Sequence, residues 1–108
     1  MSRPIRWSWL AAGALLPMLA APVSAQTADQ RLHLRALAAT CANCHGTDGR
    51  AVEGSGNVAL RGLGKDYIVQ QMKAFRDGSR PATVMHQLAK GYTPEQIEQL
   101  AAYFAAQK

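Results

Sequence analysis

Cys41-Ala42-Asn43-Cys44-His45 is the run in which residue type and spacing together point to chemistry. Two thiols three positions apart at the end of a helix can each add to one vinyl group of a haem, giving two thioether links. The residue that follows is then carried under the iron. C-x-x-C-H is for this reason the attachment signature of c-type haem. Two other chemistries use paired cysteines. A redox-active dithiol wants a βαβ setting, and no β alternation is visible in this chain. A structural zinc site wants two further ligands at matching spacing, whereas His33 and His86 are isolated. The haem reading assigns Cys41 and Cys44 to the thioethers and His45 to one axial position, with one covalent haem c per chain.

A second axial ligand must come from elsewhere. Beyond residue 25 the chain has two methionines, Met72 and Met85. Met72 shares a helical stripe with Ile68 and Phe75, which is a core pattern. Met85 follows Arg80-Pro81-Ala82-Thr83-Val84, where a loop can bring a thioether over the opposite haem face. His86 is the rival, because adjacent side chains point different ways and at most one of the pair faces the iron. An open position is the remaining alternative. Met85 is the ligand expected, and the choice matters because Met/His ligation raises the reduction potential while bis-His lowers it.

Four helices are predicted to position these groups, and the class is all-α. The first, over about 29–42, sets Leu34, Leu37, Ala38 and Cys41 on one face. The second, over about 65–77, has Ile68, Met72 and Phe75 in a stripe and Gly78 as its stop signal. A short third runs over about 83–90 and ends at Gly91. The last begins with Thr93 as N-cap, Pro94 at the first helical position and Gln96 as capping-box partner; its stripe is Ile97, Leu100, Ala101 and Phe104. Residues 46–64 hold six glycines in 19 positions, too long and too glycine-rich for an ordinary connection. Such a loop suits a backbone that must lie closely over a large flat group.

The 108 residues carry 12 Lys+Arg against 7 Asp+Glu, a formal charge of +5, and allow one domain. The first 25 read as a secretory signal. Arg3 and Arg6 precede an apolar run over 7–21, and Val23-Ser24-Ala25 supplies small residues for cleavage before Gln26. The run is broken by Ser8 and Pro17 and falls short of the ~20 apolar residues of a membrane span, so no stable insertion is expected after cleavage. Residues 26–108 then form the folded domain, an exported, periplasmic one. These 83 residues hold 36 apolar side chains, but 14 are alanine and two are cysteine. A core that small wants a staple, and a porphyrin supplies one, so the haem-free chain should be largely unfolded. The basic residues are scattered and not interleaved with aromatics, which argues against nucleic acid. Arg80, Lys65, Lys73 and Lys90 are read as a solvated surface or a ring around the haem edge, with Arg80 a possible propionate partner. His33 is read as solvated, and Tyr67, Tyr92 and Tyr103 as packing residues, one of which could bond a propionate.

With these residues in hand, the chain resembles the class I c-type cytochromes. The resemblance rests on Cys41-Ala42-Asn43-Cys44-His45-Gly46, the glycine-rich loop, Met85 and the closing Gln99-Leu100-Ala101-Ala102-Tyr103-Phe104. Arg80-Pro81-Ala82-Thr83-Val84-Met85-His86-Gln87 and Lys90-Gly91-Tyr92-Thr93 are similar to the cytochrome subunits of flavocytochrome c sulfide dehydrogenases and related small cytochromes. The resemblance implies a cytochrome c fold wrapped around the haem, in which Ala38 and Tyr103 hold the places where the first and last helices cross. It also implies a carrier of single electrons between redox partner proteins, among them a flavoprotein sulfide dehydrogenase subunit or a terminal oxidase. A dedicated enzyme subunit and a haem sensor with a displaceable Met85 are the alternatives. In one place the chain departs from its relatives. Val58 stands in the loop before Leu60 where a proline is common; its carbonyl can still accept the His45 Nδ1 proton, but the loop is less rigid.

Overall fold

The computed structural model describes residues 26–108. The signal segment expected over residues 1–25 lies outside the described residues. Five helices follow in order: α1 (Ala28–Ala39), α2 (Ala42–His45), α3 (Lys65–Asp77), α4 (Met85–Leu88) and α5 (Pro94–Ala105). Single 3-10 turns sit at Thr47–Gly49 and Ala89–Gly91, and there is no strand among the described residues. The all-α expectation holds, with one helix more than expected.

The additional helix arises from a break at the haem motif. The Thr40 hydroxyl donates to the Leu37 carbonyl at 2.7 Å, and the N–H groups of Thr40 and Cys41 bond three residues back, to Leu37 and Ala38. These shorter-range bonds tighten the last turn of α1 and end it. The chain re-enters helix at Ala42, so Cys41 stands at the joint and caps α2. The third predicted helix is also shorter than expected. Val84 has φ −134° and ψ −28°, outside helical geometry, and α4 therefore starts at Met85.

The ends of α3 and α5 follow their sequence signals. Gly78, at φ 83°, caps α3 in the left-handed region that an L side chain avoids. Thr93 and Gln96 form the reciprocal capping box of α5. Thr27 and Gln30 form the same box on α1, with Gln30 N–H to Thr27 Oγ1 at 3.2 Å and Thr27 N–H to Gln30 Oε1 at 2.9 Å. The T-x-x-Q spacing of this box is present in the sequence, although periodicity alone puts the start one residue later.

Helices α1 and α3 both pack on α5, and the core lies between them. Ala38, Ile68, Val69, Ile97, Leu100, Ala101 and Phe104 form its buried centre, with Leu37, Cys41, Leu60, Leu63, Met72, Tyr92 and Tyr103 packed around it. All four residues of the predicted α5 stripe are buried. Helix α3 instead buries Ile68 and Val69 and leaves Met72 and Phe75 half-buried. Ala38 and Tyr103 belong to the same cluster, Ala38 inside it and Tyr103 on its edge. No helix among the described residues is long and apolar enough to cross a membrane.

Tyr103 also ties α5 to the loop after the haem motif. Its hydroxyl donates to the carboxylate of Asp48, which sits at φ 54° in a region that aspartate tolerates better than most residues. That hydrogen bond, then partial burial, then the Asp48 charge hold the Tyr103 hydroxyl above the usual tyrosine range, with Arg35 pulling weakly the other way. A pKa raised by folding stabilises the protein below the unfolded value, about 10, and the stabilisation is lost as pH rises through the folded value. Tyr103→Phe is therefore expected to cost about 1–2 kcal/mol at pH 7. Thermal melts of variant and wild type should converge as pH rises through the folded value of Tyr103; a gap that does not narrow on the alkaline side would contradict this account.

Candidate haem site

Helix α2 is a single turn, and together with its N-cap residue Cys41 it carries the whole attachment motif. His45 N–H bonds to the Cys41 carbonyl at 3.0 Å and Cys44 N–H to the same oxygen at 3.4 Å, which fixes the three residues against one another. Both thiols are free, Cys41 half-buried and Cys44 exposed. Burial pushes the Cys41 thiol up, and contacts with the Thr40 and Tyr92 hydroxyls partly offset this.

His45 is oriented from the loop that follows. Its Nδ1–H donates to the Val58 carbonyl at 2.7 Å, the acceptor read from the sequence at the place where relatives commonly have a proline. A carbonyl can only accept, so the proton lies on Nδ1 and the Nε2 lone pair is left for a metal. The route from His45 to Val58 depends on Gly46. With φ 76° and ψ 162° it occupies a conformation open essentially to glycine alone, and a Cβ there would lie 1.9 Å from the Arg50 carbonyl oxygen. Gly46→Ala is expected to destabilise the haem-loaded protein by at least about 3 kcal/mol, lowering its melting temperature by more than about 10 °C. A melt within 3 °C of wild type would contradict this reading, the threshold being about what a change of under 1 kcal/mol produces.

Met85 is not on that turn. It opens α4, which packs on α3, and it is half-buried. Its neighbour His86 is also half-buried, and the His86 Nδ1 is a buried nitrogen with no hydrogen-bond partner among the described residues. Met72, the other methionine, packs against the hydrophobic core. The connection between the Met85 segment and the attachment turn passes through Tyr92, whose hydroxyl shares a 2.8 Å hydrogen bond with Thr40 Oγ1, next to Cys41. That contact was not foreseen from the sequence, where Tyr92 reads as a packing residue or as one of three candidates to bond a propionate.

Two of the basic residues offered as a haem-edge ring have partners within the protein. Lys65 Nζ lies 3.0 Å from the Glu98 carboxylate, a half-exposed pair worth little energetically but enough to occupy the lysine. Arg80 stacks over the Phe75 ring at 4.6 Å and bonds to the Gln71 side chain. His33 is exposed, as a solvated histidine should be.

The residues present fit a covalent haem. The donor set on α2 is two free thiols and an imidazole of fixed tautomer. Val52 and Val58 in the glycine-rich loop and Val84 and Leu88 flanking Met85 are apolar yet 50–69% exposed, so both chain segments offer uncovered apolar surface. The unpartnered His86 Nδ1 adds a polar atom beside Met85 that wants an acceptor or a metal.

Comparison with known proteins agrees with this chemistry. A family model described as cytochrome C oxidase, cbb3-type, subunit III matches residues 30–104. The chain is 44% identical over 68 residues to the cytochrome subunit of sulfide dehydrogenase from Chlorobaculum tepidum, covering 63% of this chain and 60% of that protein. It is 37% identical over 71 residues to the thiosulfate dehydrogenase electron acceptor of Thiomonas intermedia, covering 66% of this chain and 33% of that one. It is 38% identical over 72 residues to cytochrome c-554(548) of Halomonas halodenitrificans, covering 64% of this chain and 86% of the relative. The chain thus spans less than two thirds of the first two relatives and most of the third.

Proposed function

The chain belongs to the c-type cytochromes, electron-transfer proteins that bind haem c covalently, and from that premise we propose that Cys41 and Cys44 form its thioethers, with His45 and Met85 as the axial ligands. The observation that carries the reading is the 2.7 Å hydrogen bond from His45 Nδ1 to the Val58 carbonyl, because it leaves Nε2 as the free donor atom. When bound, the haem supplies a one-electron iron couple. The residues around it have simple duties. The Val58 carbonyl holds the His45 ring in orientation. Met85, as the second residue holding the iron, would favour the reduced state and a high potential. With both axial positions taken by the protein, no position is left for a substrate, which suits a carrier.

The proposal extends to place and partners. Residues 1–25 have the order of a secretory signal, and thioether attachment belongs outside the cytoplasm, so the carrier is an exported, periplasmic one. Its donor is a sulfur-compound dehydrogenase of the kind that two of its relatives' names mention, and its acceptor a terminal oxidase. Half-exposed Val84 and Leu88, on either side of Met85, offer apolar surface for weak, reversible docking. A redox titration should give a one-electron Nernstian wave, and the protein should elute alone in gel filtration after co-expression with a flavoprotein sulfide dehydrogenase. Stable co-elution would instead make it the enzyme's dedicated haem subunit.

A further inference from the structure

The chain from residue 78 to 92, which carries Met85, buries only one of its own residues, Ala89. Apart from the packing of α4 on α3, its position is set by its ends. At the near end Arg80 attaches to α3 three times. Its N–H donates to the Ala74 carbonyl at 3.1 Å, its Nη1 donates to Gln71 Oε1, and its guanidinium lies 4.6 Å from the centroid of the Phe75 ring. Gln71 and Phe75 are four residues apart, hence on one face of α3, and the flat guanidinium reaches both. At the far end Arg76 Nη1 donates to the Tyr92 carbonyl at 3.1 Å, and the Tyr92 hydroxyl reaches Thr40.

From this geometry we infer that Arg80 is a positioning residue for the Met85 thioether: by lying across Phe75 and Gln71 it fixes where the segment leaves α3 and keeps the ligand from swinging away. The inference rests on the Met85 ligation proposed above. Arginine is required because the role uses a planar face and a fixed N–H together, whereas a lysine ammonium has no planar face and only freely rotating N–H donors.

The test uses purified, haem-loaded protein. Arg80→Ala should weaken the far-red band of methionine bound to ferric iron and speed carbon monoxide binding to the reduced form about tenfold, the effect of losing one charge-assisted hydrogen bond and one cation–π contact. Haem content should not change. Arg80→Lys should behave nearly like Arg80→Ala, and Gln71→Ala should shift both readouts in the same direction by about threefold, as loss of a single hydrogen bond would. Tyr103→Phe, which loosens α5 from the Asp48 loop, should leave both readouts at wild-type values. A wild-type band and rate in Arg80→Ala would overturn the inference while leaving Met85 ligation intact. Equal changes in Tyr103→Phe would overturn it too, by showing general softening. A wild-type protein without the far-red band would remove Met85 ligation itself, and the positioning role with it.

Discussion

Replacing both Cys41 and Cys44 with alanine is expected to leave a chain that holds no haem on a denaturing gel and shows little helix by circular dichroism. The two expectations are linked through the size of the core. Seven residues make up its buried centre, and two of them are alanines. That is little apolar area to set against the chain entropy of 83 residues, and a domain of this size ordinarily leans on a staple. A group bound only by the folded state adds its binding free energy to stability, and covalent attachment makes that contribution permanent. Without the thioethers the haem can leave, and the fold leaves with it. The single substitutions should be milder, each keeping one link and a stainable band. Haem that still stains after the double substitution would show that the attachment lies elsewhere.

Met85→Ala carries the second large effect. The variant should lose the far-red band completely, bind carbon monoxide stoichiometrically when reduced, and drop in potential by on the order of tenths of a volt, within the ~0.8 V that axial ligation spans. His86→Ala should keep the band and the potential. The contrast matters because the structure leaves both side chains half-buried on adjacent positions and leaves the His86 Nδ1 without a partner. If His86 were the resident ligand, the wild type would already lack the far-red band, and His86→Ala rather than Met85→Ala would open the site to carbon monoxide.

The parts of this molecule governed by local rules were legible in its sequence. Thr93, Pro94 and Gln96 mark the start of α5, Gly78 marks the end of α3, and the four stripe residues of α5 are its buried ones. Each of these depends on neighbours within one or two turns. The turn that brings Cys41, Cys44 and His45 together was legible for the same reason, since their spacing alone puts them within one helical turn. What was not legible depends on contacts between distant segments. The break between α1 and α2 is set partly by Thr40, whose hydroxyl bonds to Leu37 and meets Tyr92, 52 residues on. Val69 joins the core in place of full burial of Met72 and Phe75, because α3 meets α5 along a stripe rotated from the one that hydropathy favours. Arg80 and Lys65 read as surface charges until Phe75, Gln71 and Glu98 are seen beside them. A side chain with a long stem gives no sign in sequence of what it will reach.

The central claim, one haem held by Cys41 and Cys44 between His45 and Met85, is tested most directly by the optical spectrum of the protein matured in a periplasm. Oxidised and then reduced, it should show sharp low-spin bands of a c-type haem in the reduced form and the weak far-red band of methionine–iron ligation in the oxidised form. Low-spin bands without the far-red feature would hand the position to His86 and predict a low potential. A high-spin spectrum would leave the position open and contradict the account of a carrier.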